Sequence, residues 1–574
     1  MEENKMKKRF FVSLFIFILA ILLIVFAIFQ IRKKGSDREI KKITETQAQR
    51  KEREEKRKIK DGDFYVPLKD LHNPYEPKSV SAKGLYVKAH VAGYTFNEKK
   101  IDAYADYIKK MSGASKEPVD ESIEDETNVL EKILGICKGT EINALVIDIK
   151  GDEGYVTWPT DIPKVAEIQK EHTLDFENYK PLLDYMKKNQ IYAIARIVTF
   201  KDPYLAENYS EHAMQLKTGG TYRDGSGTPW VNPYDKFVWQ YVVSIAKEAA
   251  LRGFDEINFD YVRFPDNAQV YNEIVDFPGR NNKRKDDNIQ DFLIYAGKEL
   301  HDYKVFISAD VFPVSTHNWD DTPEDIGQTW RKISRNVDII CPMVYPSHYD
   351  SGWYGFEVPD QEPYGVFKAC MTEALERNAS QEFVPKIRPW IQGFTANWVN
   401  GYKEYTPEVM ADQIVACAEL GIDEYLVWNA ENKYDAMTFF YQDRVKKIFS
   451  EEQDAIGRTP QEALERFLQA QRKQNCKVEY LLTPVANRQS EYSDFEKYIK
   501  QELNRKLFKY TIEEITPINH ESYEAKISGV YNSLVGVHYM ESETVIIRKE
   551  NGIWKVDQKY IRYEEEEVNV NPES

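Results

Sequence analysis

Eight short apolar runs, each followed by a helical pattern, constrain the fold of this 574-residue chain more than any other feature. The runs have the composition of buried strands, and the segments between them repeat apolar residues at helical spacing. Eight strand–helix units are the number that a TIM (β/α)8 barrel requires. The strand-like runs cover residues 84–91, 143–150, 191–198, 256–264, 304–312, 338–345, 386–394 and 423–430.

A doubly wound parallel sheet would fit the same alternation of strands and helices. Such a sheet rarely contains eight consecutive parallel strands, and no glycine-rich nucleotide fingerprint follows the first run. The sequence therefore favours an α/β fold with a TIM barrel over residues 84–450.

The first 35 residues predict a membrane anchor. Residues 10–31 carry no charge over 22 positions, enough for a helix to cross a bilayer. A basic run, Arg32 to Lys34, follows directly, and no small-residue cleavage site is evident, so we expect an uncleaved single-pass span. Positive charges flank the span on both sides, and the positive-inside rule mildly opposes an outside location for the rest of the chain.

Two further segments flank the predicted barrel. Residues 36–83 are mostly polar with mixed charge, which predicts a solvated stalk and linker because such a run cannot bury a core. Residues 455–574 show amphipathic helical patterns at 459–475 and 491–508, then four strand-like stretches, which predicts a small α+β domain. Its stretch 545–558 resembles the last hairpin of the NTF2-like domains.

Composition excludes several classes of protein and site. The net charge of −17 argues against a nucleic-acid-binding surface, and aromatic residues, at 13%, supply flat surfaces on which sugars can stack. Five cysteines without CxxC spacing give neither a disulfide framework nor a zinc site. No serine-hydrolase, metalloprotease or P-loop motif occurs. We expect no metal, no cofactor and no nucleic-acid partner.

Polar side chains stand at the ends of the predicted strands and are scarce at their starts. Catalytic groups of a TIM barrel lie at the carboxyl ends of its strands, so these residues are candidates for a site. Alternation along a strand places Asn258 and Asp260 on one face. The strand-end residues are His90, Asp148, Lys150, Arg196, Asp260, Arg263, Asp310, Tyr345, His348, Gln392, Trp428 and Asn429.

Several stretches resemble a known family. They are "VIDIKGDEGYV", "ARIVTFKDPYLAE", "CPMVYPSHY" and, most specifically, the block from Tyr222 to Pro265. They are similar to the glycoside hydrolase domain of unknown specificity found in anchored or secreted proteins of Gram-positive bacteria. The resemblance covers roughly residues 84–450 and implies a TIM barrel that acts on, or at least binds, a carbohydrate. It also implies that the barrel and the tail lie outside the cell.

A glycosidase needs two carboxyl groups, one that donates a proton and one that acts as nucleophile or base. Asp260 ends the fourth strand, the position of the nucleophile in α-amylase-like and α-galactosidase-like barrels. Asp310 ends the fifth and is the expected acid, although amylases use Glu there, which leaves that role open. Neither retention nor inversion follows from adjacent strand ends.

The other candidates are expected to bind the substrate, each with a structural alternative. Asp148 is either functional or a cap of the loop that follows it, and Arg263 is either a partner of Asp260 or a substrate contact. The aromatic residues either stack on sugars or pack the barrel. The substrate-binding candidates are Asp148, Lys150, Arg196, Trp230, Asn258, Arg263, Tyr345, His348, Trp390, Gln392 and Trp428.

Two functions follow from these observations. The first is a membrane-anchored extracellular glycoside hydrolase acting on a cell-wall or secreted polysaccharide. The second is a non-catalytic carbohydrate-binding or envelope-assembly protein on a barrel scaffold. Both predict an aromatic rim, but only the enzyme requires two rim carboxylates within catalytic distance, and the fold alone does not choose between them.

Overall fold

The computed structural model describes residues 47–67, 80–113, 118, 120–170, 175–317, 324–488, 506–533 and 536–558. The chain divides into two compact units, Met1–Gly62 and Asp63–Ser574. The described part of the first unit is a polar helix, Gln47–Asp61. The predicted membrane span lies outside the described residues, and among those that are described no helix is both long and apolar enough to span a bilayer.

Eight parallel strand positions close into a barrel in the second unit, which confirms the predicted fold. Two short strands share the seventh position, and the eighth pairs with the first to close the ring. The strands are β1 Lys83–Val87, β2 Ala144–Lys150, β3 Tyr192–Val198, β4 Glu256–Asp260, β5 Phe306–Val311, β6 Ile339–Val344, β7 Lys386–Ile387, β8 Trp390–Gln392 and β9 Tyr425–Trp428.

Helices cover the outside of the barrel, and loops on the rim carry short additional elements. A two-stranded ribbon pairs Gln215–Leu216 with Val275–Asp276. The described helices around the barrel are Ala89–Ala92, Glu98–Met111, Ser122–Glu126, Val129–Gly139, Pro163–Ile168, Tyr179–Lys188, Pro203–Asn208, Lys236–Arg252, Ala268–Tyr271, Lys285–Leu300, Val314–His317, Trp330–Ser334, Pro363–Asn378 and Pro407–Glu419.

Local signals fix the helix that precedes β4. Lys236–Arg252 begins after Asp235, whose side chain accepts a hydrogen bond from the Phe237 amide. It ends at Gly253, where φ is 109°, a value that glycine adopts without strain. Most of its side chains are buried, so the helix packs closely on the outside of the barrel next to β4.

Several strands are shorter than the sequence predicts. β1 ends at Val87, and His90 lies in the helix Ala89–Ala92 instead of on the strand. β4 ends at Asp260 because Tyr261 adopts a left-handed backbone with φ 47°, so Arg263 belongs to the following loop. Pro389, which has no N–H for a ladder, separates β7 from β8.

A buried ion cluster lies inside the barrel at the amino ends of the strands. The Arg388 guanidinium donates to both carboxylate oxygens of Glu256, at 2.8 and 2.9 Å, and to Glu424 at 2.7 Å. The prediction that polar groups are scarce at the strand starts is therefore wrong. The charges are tolerated there because they pair with each other.

The described part of the tail is a four-stranded antiparallel sheet packed against helices, the α+β arrangement that the sequence predicts. The second predicted helix, 491–508, lies mostly outside the described residues, and its last three residues belong to β10. The strands are β10 Lys506–Asn519, β11 Ser522–Ser533, β12 Gly536–Glu550 and β13 Ile553–Asp557, and the helices are Pro460–Lys473, Cys476–Leu482 and Val485–Arg488.

The tail docks against the barrel through a second, partly buried ion cluster. Glu376, near the end of the helix Pro363–Asn378, accepts hydrogen bonds from Arg458 at 2.7 Å and Arg466 at 3.0 Å. The Asn551 side chain donates to the Ala379 carbonyl. These barrel groups precede β7 in the chain, so the tail contacts the amino end of the barrel.

Candidate active site

A cavity of about 430 Å³ opens among the residues at the carboxyl ends of the strands. Aromatic side chains form much of its wall, and aspartates and arginines also line it. The lining residues are Asp152, Arg196, Asp260, Tyr261, Arg263, Asp310, Phe312, Pro313, Val314, Met343, Tyr345, His348, Tyr349, Asp350, Trp353, Trp390 and Trp428.

Asp260 is held by three hydrogen-bond donors. The Arg196 guanidinium reaches its Oδ2 through Nε at 2.9 Å and Nη2 at 2.6 Å. Its Oδ1 accepts the backbone N–H of Tyr261 at 2.6 Å, a geometry that the left-handed turn at that residue permits. The side chains of Asp260 and Arg196 are nearly buried, and charge-assisted hydrogen bonds of this kind are shorter and stronger than those between neutral groups.

Arg196 also binds two other carboxylates. Its Nη1 donates to Asp148 at 2.6 Å, and its Nη2 donates to Asp152 at 2.9 Å. Burial raises the pKa of Asp148 despite this contact, and the Tyr86 hydroxyl donates to the same carboxyl group at 2.5 Å. Burial also opposes ionisation of Asp152, but Arg196 and Lys201 outweigh it and lower the pKa of that group. One guanidinium on β3 thus binds three carboxylates from the ends of β2 and β4.

Asp310 has the opposite environment to that of Asp260. Its Oδ1 accepts hydrogen bonds from the Asn258 amide at 2.9 Å and from the Trp390 indole at 2.8 Å. Burial, together with the nearby charge of Asp260, raises the pKa of Asp310 well above its usual range. Asp260 is therefore paired with an arginine, whereas burial and the neighbouring carboxylate favour the protonated form of Asp310.

Aromatic rings shape the cavity around the two carboxyl groups. Trp428 stacks on Tyr86 at 4.0 Å between ring centroids, and Trp390 meets Trp428 edge-on at 5.7 Å. Burial, with a further contribution from Asp310, raises the pKa of Tyr345 well above its usual range. Burial lowers the pKa of His348, which keeps the imidazole neutral near pH 7. The wall therefore presents flat, neutral ring surfaces beside Asp260 and Asp310.

Arg263 lines the cavity without contacting Asp260. Its Nη1 donates to the Phe264 carbonyl at 2.8 Å and lies 3.4 Å from Asp266. The guanidinium stands 4.3 Å from the ring centroid of Phe312. The partner of Asp260 is Arg196, so the alternative in which Arg263 fills that role is wrong.

Comparison with known proteins identifies the family of the barrel. Residues 120–434 match the family described as "Putative glycosyl hydrolase domain". The chain belongs to this family. The predicted resemblance and the predicted enzyme class, a glycoside hydrolase of unknown substrate, are confirmed by this match.

Solved structures similar to this glycosyl hydrolase domain include one that is 33% identical. It is a hypothetical protein from Ruminiclostridium thermocellum ATCC 27405, aligned over 40% of this chain and 97% of its own, with a TM-score of 0.30. The PgaB (BpsB) glycoside hydrolase domain from Bordetella bronchiseptica is 14% identical over 61% of this chain and 94% of its own, with a TM-score of 0.39. No curated protein matches the chain.

Several residues predicted to bind substrate do not line the cavity of the glycosyl hydrolase domain. Lys150 is fully buried, 2.9 Å from Asp202, after an irregularity in the pairing of β2 with β3. The Trp230 indole donates to Asp224, and the Gln392 side chain donates to Asp360. Those three side chains hold loops in place.

Asp148 and Asn258 also lie outside the lining, directly against residues that belong to it. Asp148 holds Arg196, and Asn258 holds Asp310. These two positions act on the cavity through another side chain, which is a positioning role. The candidates that do line the cavity are Arg196, Asp260, Arg263, Asp310, Tyr345, His348, Trp390 and Trp428.

Some lining residues have no counterpart among the sequence candidates. Asp152 comes two residues after β2, and this position next to a strand end could have indicated that it lines the cavity. Tyr349, Asp350 and Trp353 belong to the loop after β6, where no period indicates the direction of a side chain. Within the ranges that the structure describes, no group of three His, Cys, Asp or Glu side chains is placed to hold a metal ion.

Proposed function

We propose that the chain is a glycoside hydrolase in which Asp310 is the general acid and Asp260 is the nucleophile or base. One observation carries the proposal: of two carboxyl groups that line the cavity, Asp260 is paired with Arg196, whereas burial raises the pKa of Asp310. Enzymes that cleave glycosidic bonds assign acid and nucleophile or base to such a pair.

The hydrogen bonds of Asp310 indicate where its proton resides. Oδ1 already accepts two N–H groups, so the acidic proton belongs on Oδ2. In the proposed reaction this proton passes to the glycosidic oxygen as the bond from that oxygen to the anomeric carbon breaks. The departing sugar then leaves as a neutral alcohol.

Asp260 completes the reaction in one of two ways. As a nucleophile, it forms a bond to the anomeric carbon, and water later hydrolyses the glycosyl ester while Asp310 accepts a proton from that water. As a base, it takes a proton from the water that attacks the anomeric carbon directly. Arg196 stabilises the ionised Asp260 that both routes need at the start.

The location is also part of the proposal. The uncharged stretch at residues 10–31 supports a membrane anchor, and the family resemblance supports a barrel and tail outside the cell. The stretch 545–558 supports an NTF2-like fold for the tail. The substrate would then be a cell-wall or secreted polysaccharide. Protease treatment of intact cells tests this location, and a tail that stays fully protected while a surface protein is digested would contradict it.

The proposed activity is tested by incubating the full-length chain with a panel of peptidoglycan strands, chitosan, xylan and α-glucan, with new reducing ends as the readout. We expect release from at least one polymer, and loss of release in Asp310→Asn. Binding to a polymer without any release, by wild type and variant alike, would instead support the non-catalytic carbohydrate-binding protein.

A further inference from the structure

An exposed tryptophan stands beside the cavity on the loop that follows β8. The Trp398 side chain is 65% exposed, although large aromatic residues are usually mostly buried. It lies nearly parallel to Phe394, with ring centroids 5.9 Å apart and an angle of 22° between the planes. Exposed aromatic surface next to a cavity is typical of a ligand-binding site.

The pair is continuous with the cavity wall. Phe394 meets the ring of Tyr345 edge-on at 6.0 Å and that of His348 at 6.5 Å, and both of those rings line the cavity. Trp398 therefore connects to the cavity wall through one intervening ring, that of Phe394. The aromatic surface extends from the cavity outwards along one side of its opening.

Hydrogen bonds fix the loop that carries the pair. The Tyr405 amide donates to Thr395 Oγ1 at 3.0 Å, and the Lys403 amide donates to Asp360 at 3.1 Å. The Asn429 side chain donates to the Gly393 carbonyl at 2.6 Å. A loop held at these points presents Trp398 in a fixed place, so little conformational entropy is lost when a ligand binds.

We propose that Trp398 is a second sugar-stacking site, outside the cavity, for a unit of the same glycan chain whose scissile bond lies between Asp260 and Asp310. The proposal rests on the proposed function and adds to it that the substrate is a polymer longer than the cavity. A flat apolar ring face suits the C–H face of a pyranose, and its π-system favours such contacts.

The test compares Trp398→Ala with Phe383→Ala in the full-length chain. Phe383 is 66% exposed and lies before β7, at the other end of the barrel, so it matches Trp398 in chemistry and exposure. On the polysaccharide that the panel identifies, Trp398→Ala should raise KM about 3–10-fold and leave kcat unchanged. Its kcat/KM on the shortest cleaved oligosaccharide should equal that of wild type. Phe383→Ala should leave kcat/KM unchanged on both the polysaccharide and the oligosaccharide.

Two results would overturn the second site: no effect of Trp398→Ala on the polymer, or equal losses on polymer and oligosaccharide. Trp398→Phe, which keeps a stacking ring, should recover most of the affinity. If no polymer of the panel is cleaved, the catalytic proposal fails, and native gels containing each polymer decide the second site. Retarded migration of wild type that is reduced only in Trp398→Ala would support it, and no such difference would end it.

Discussion

Arg196 is the residue on which the charge of the cavity depends. It supplies two of the three donors that hold Asp260 and also binds Asp148 and Asp152. Asp310 accepts hydrogen bonds from two neutral donors, Asn258 and Trp390, and burial raises its pKa. Two aspartates on neighbouring strands thus have different environments, because Arg196 donates to Asp260 and neutral groups donate to Asp310.

Replacing the two carboxyl groups separates their roles. Asp310→Asn keeps an oxygen for the Asn258 and Trp390 donors, so the protein should stay folded while turnover falls by about 10²–10⁴-fold. The loss should be smaller on aryl glycosides, whose leaving group needs little protonation. Asp260→Asn should abolish turnover on both kinds of substrate, and near-normal turnover of the folded variant would remove Asp260 from the mechanism.

Stability must be measured beside turnover. Asparagine can accept hydrogen bonds on one oxygen only, so Asp260→Asn strands a donor of Arg196 or Tyr261 at a cost of about 1–3 kcal/mol. Glu256→Gln is the control, because it weakens the ion cluster at the other end of the barrel by about 3–5 kcal/mol. The folded fraction of that control should retain full turnover.

The proton of Asp310 should appear in the pH dependence of stability. Its pKa is raised in the folded protein, so the native state binds this proton more tightly than the unfolded chain, where the pKa is about 3.9. Relative to Asp310→Asn, wild type should therefore lose stability as the pH rises from about 4 towards the raised folded value. Unfolding free energies of the two proteins that differ by a constant amount at all pH values would contradict the raised pKa.

At the scale of elements, the seventh barrel position is held partly by charge. Pro389 has no N–H to donate to a neighbouring strand, which interrupts the backbone pairing between β7 and β8. Just before this interruption, Glu424 accepts hydrogen bonds from Lys386 at 2.5 Å and from Arg388 at 2.7 Å. Glu424→Gln should therefore accelerate amide exchange in β8 and β9 before it does so in β2 and β3. Uniform acceleration over all strands would show that the ion pairs stabilise the whole barrel equally.

Regular elements were predictable from the sequence, and departures from regularity were not. The period of two along β4 and β5 predicts Asp260 and Asp310 at the same rim, and both residues line the cavity. The irregularity between Asp148 and Lys150 breaks that period, so a lysine at a strand end points away from the cavity. Trp353 lies in a loop, whose path depends on tertiary contacts that no local pattern encodes.

At the scale of the molecule, the barrel has its own core. The large hydrophobic cluster of the barrel and the smaller cluster of the tail share no residue. Residues 61–450 alone should therefore fold and unfold cooperatively, at a lower temperature than residues 61–574. A protease-sensitive product without a cooperative transition would show that the tail completes the core.

The ion cluster at Glu376 allows a second test of whether the barrel folds without the tail. Glu376→Gln should destabilise the full chain by about 1–3 kcal/mol, because Arg458 and Arg466 lose a charged acceptor. In the shortened chain, which lacks both arginines, the substitution should have almost no effect. An equal loss of unfolding free energy in the two chains would show that Glu376 stabilises the barrel without the tail.

The docked sheet and the cavity occupy opposite ends of the barrel. Glu376 and Ala379 receive the tail at the amino end, whereas the cavity opens at the carboxyl end. The proposed polysaccharide substrate would reach the cavity from the carboxyl end of the barrel. A solid layer of such a polymer can therefore lie against the carboxyl end of the barrel without contacting the docked tail.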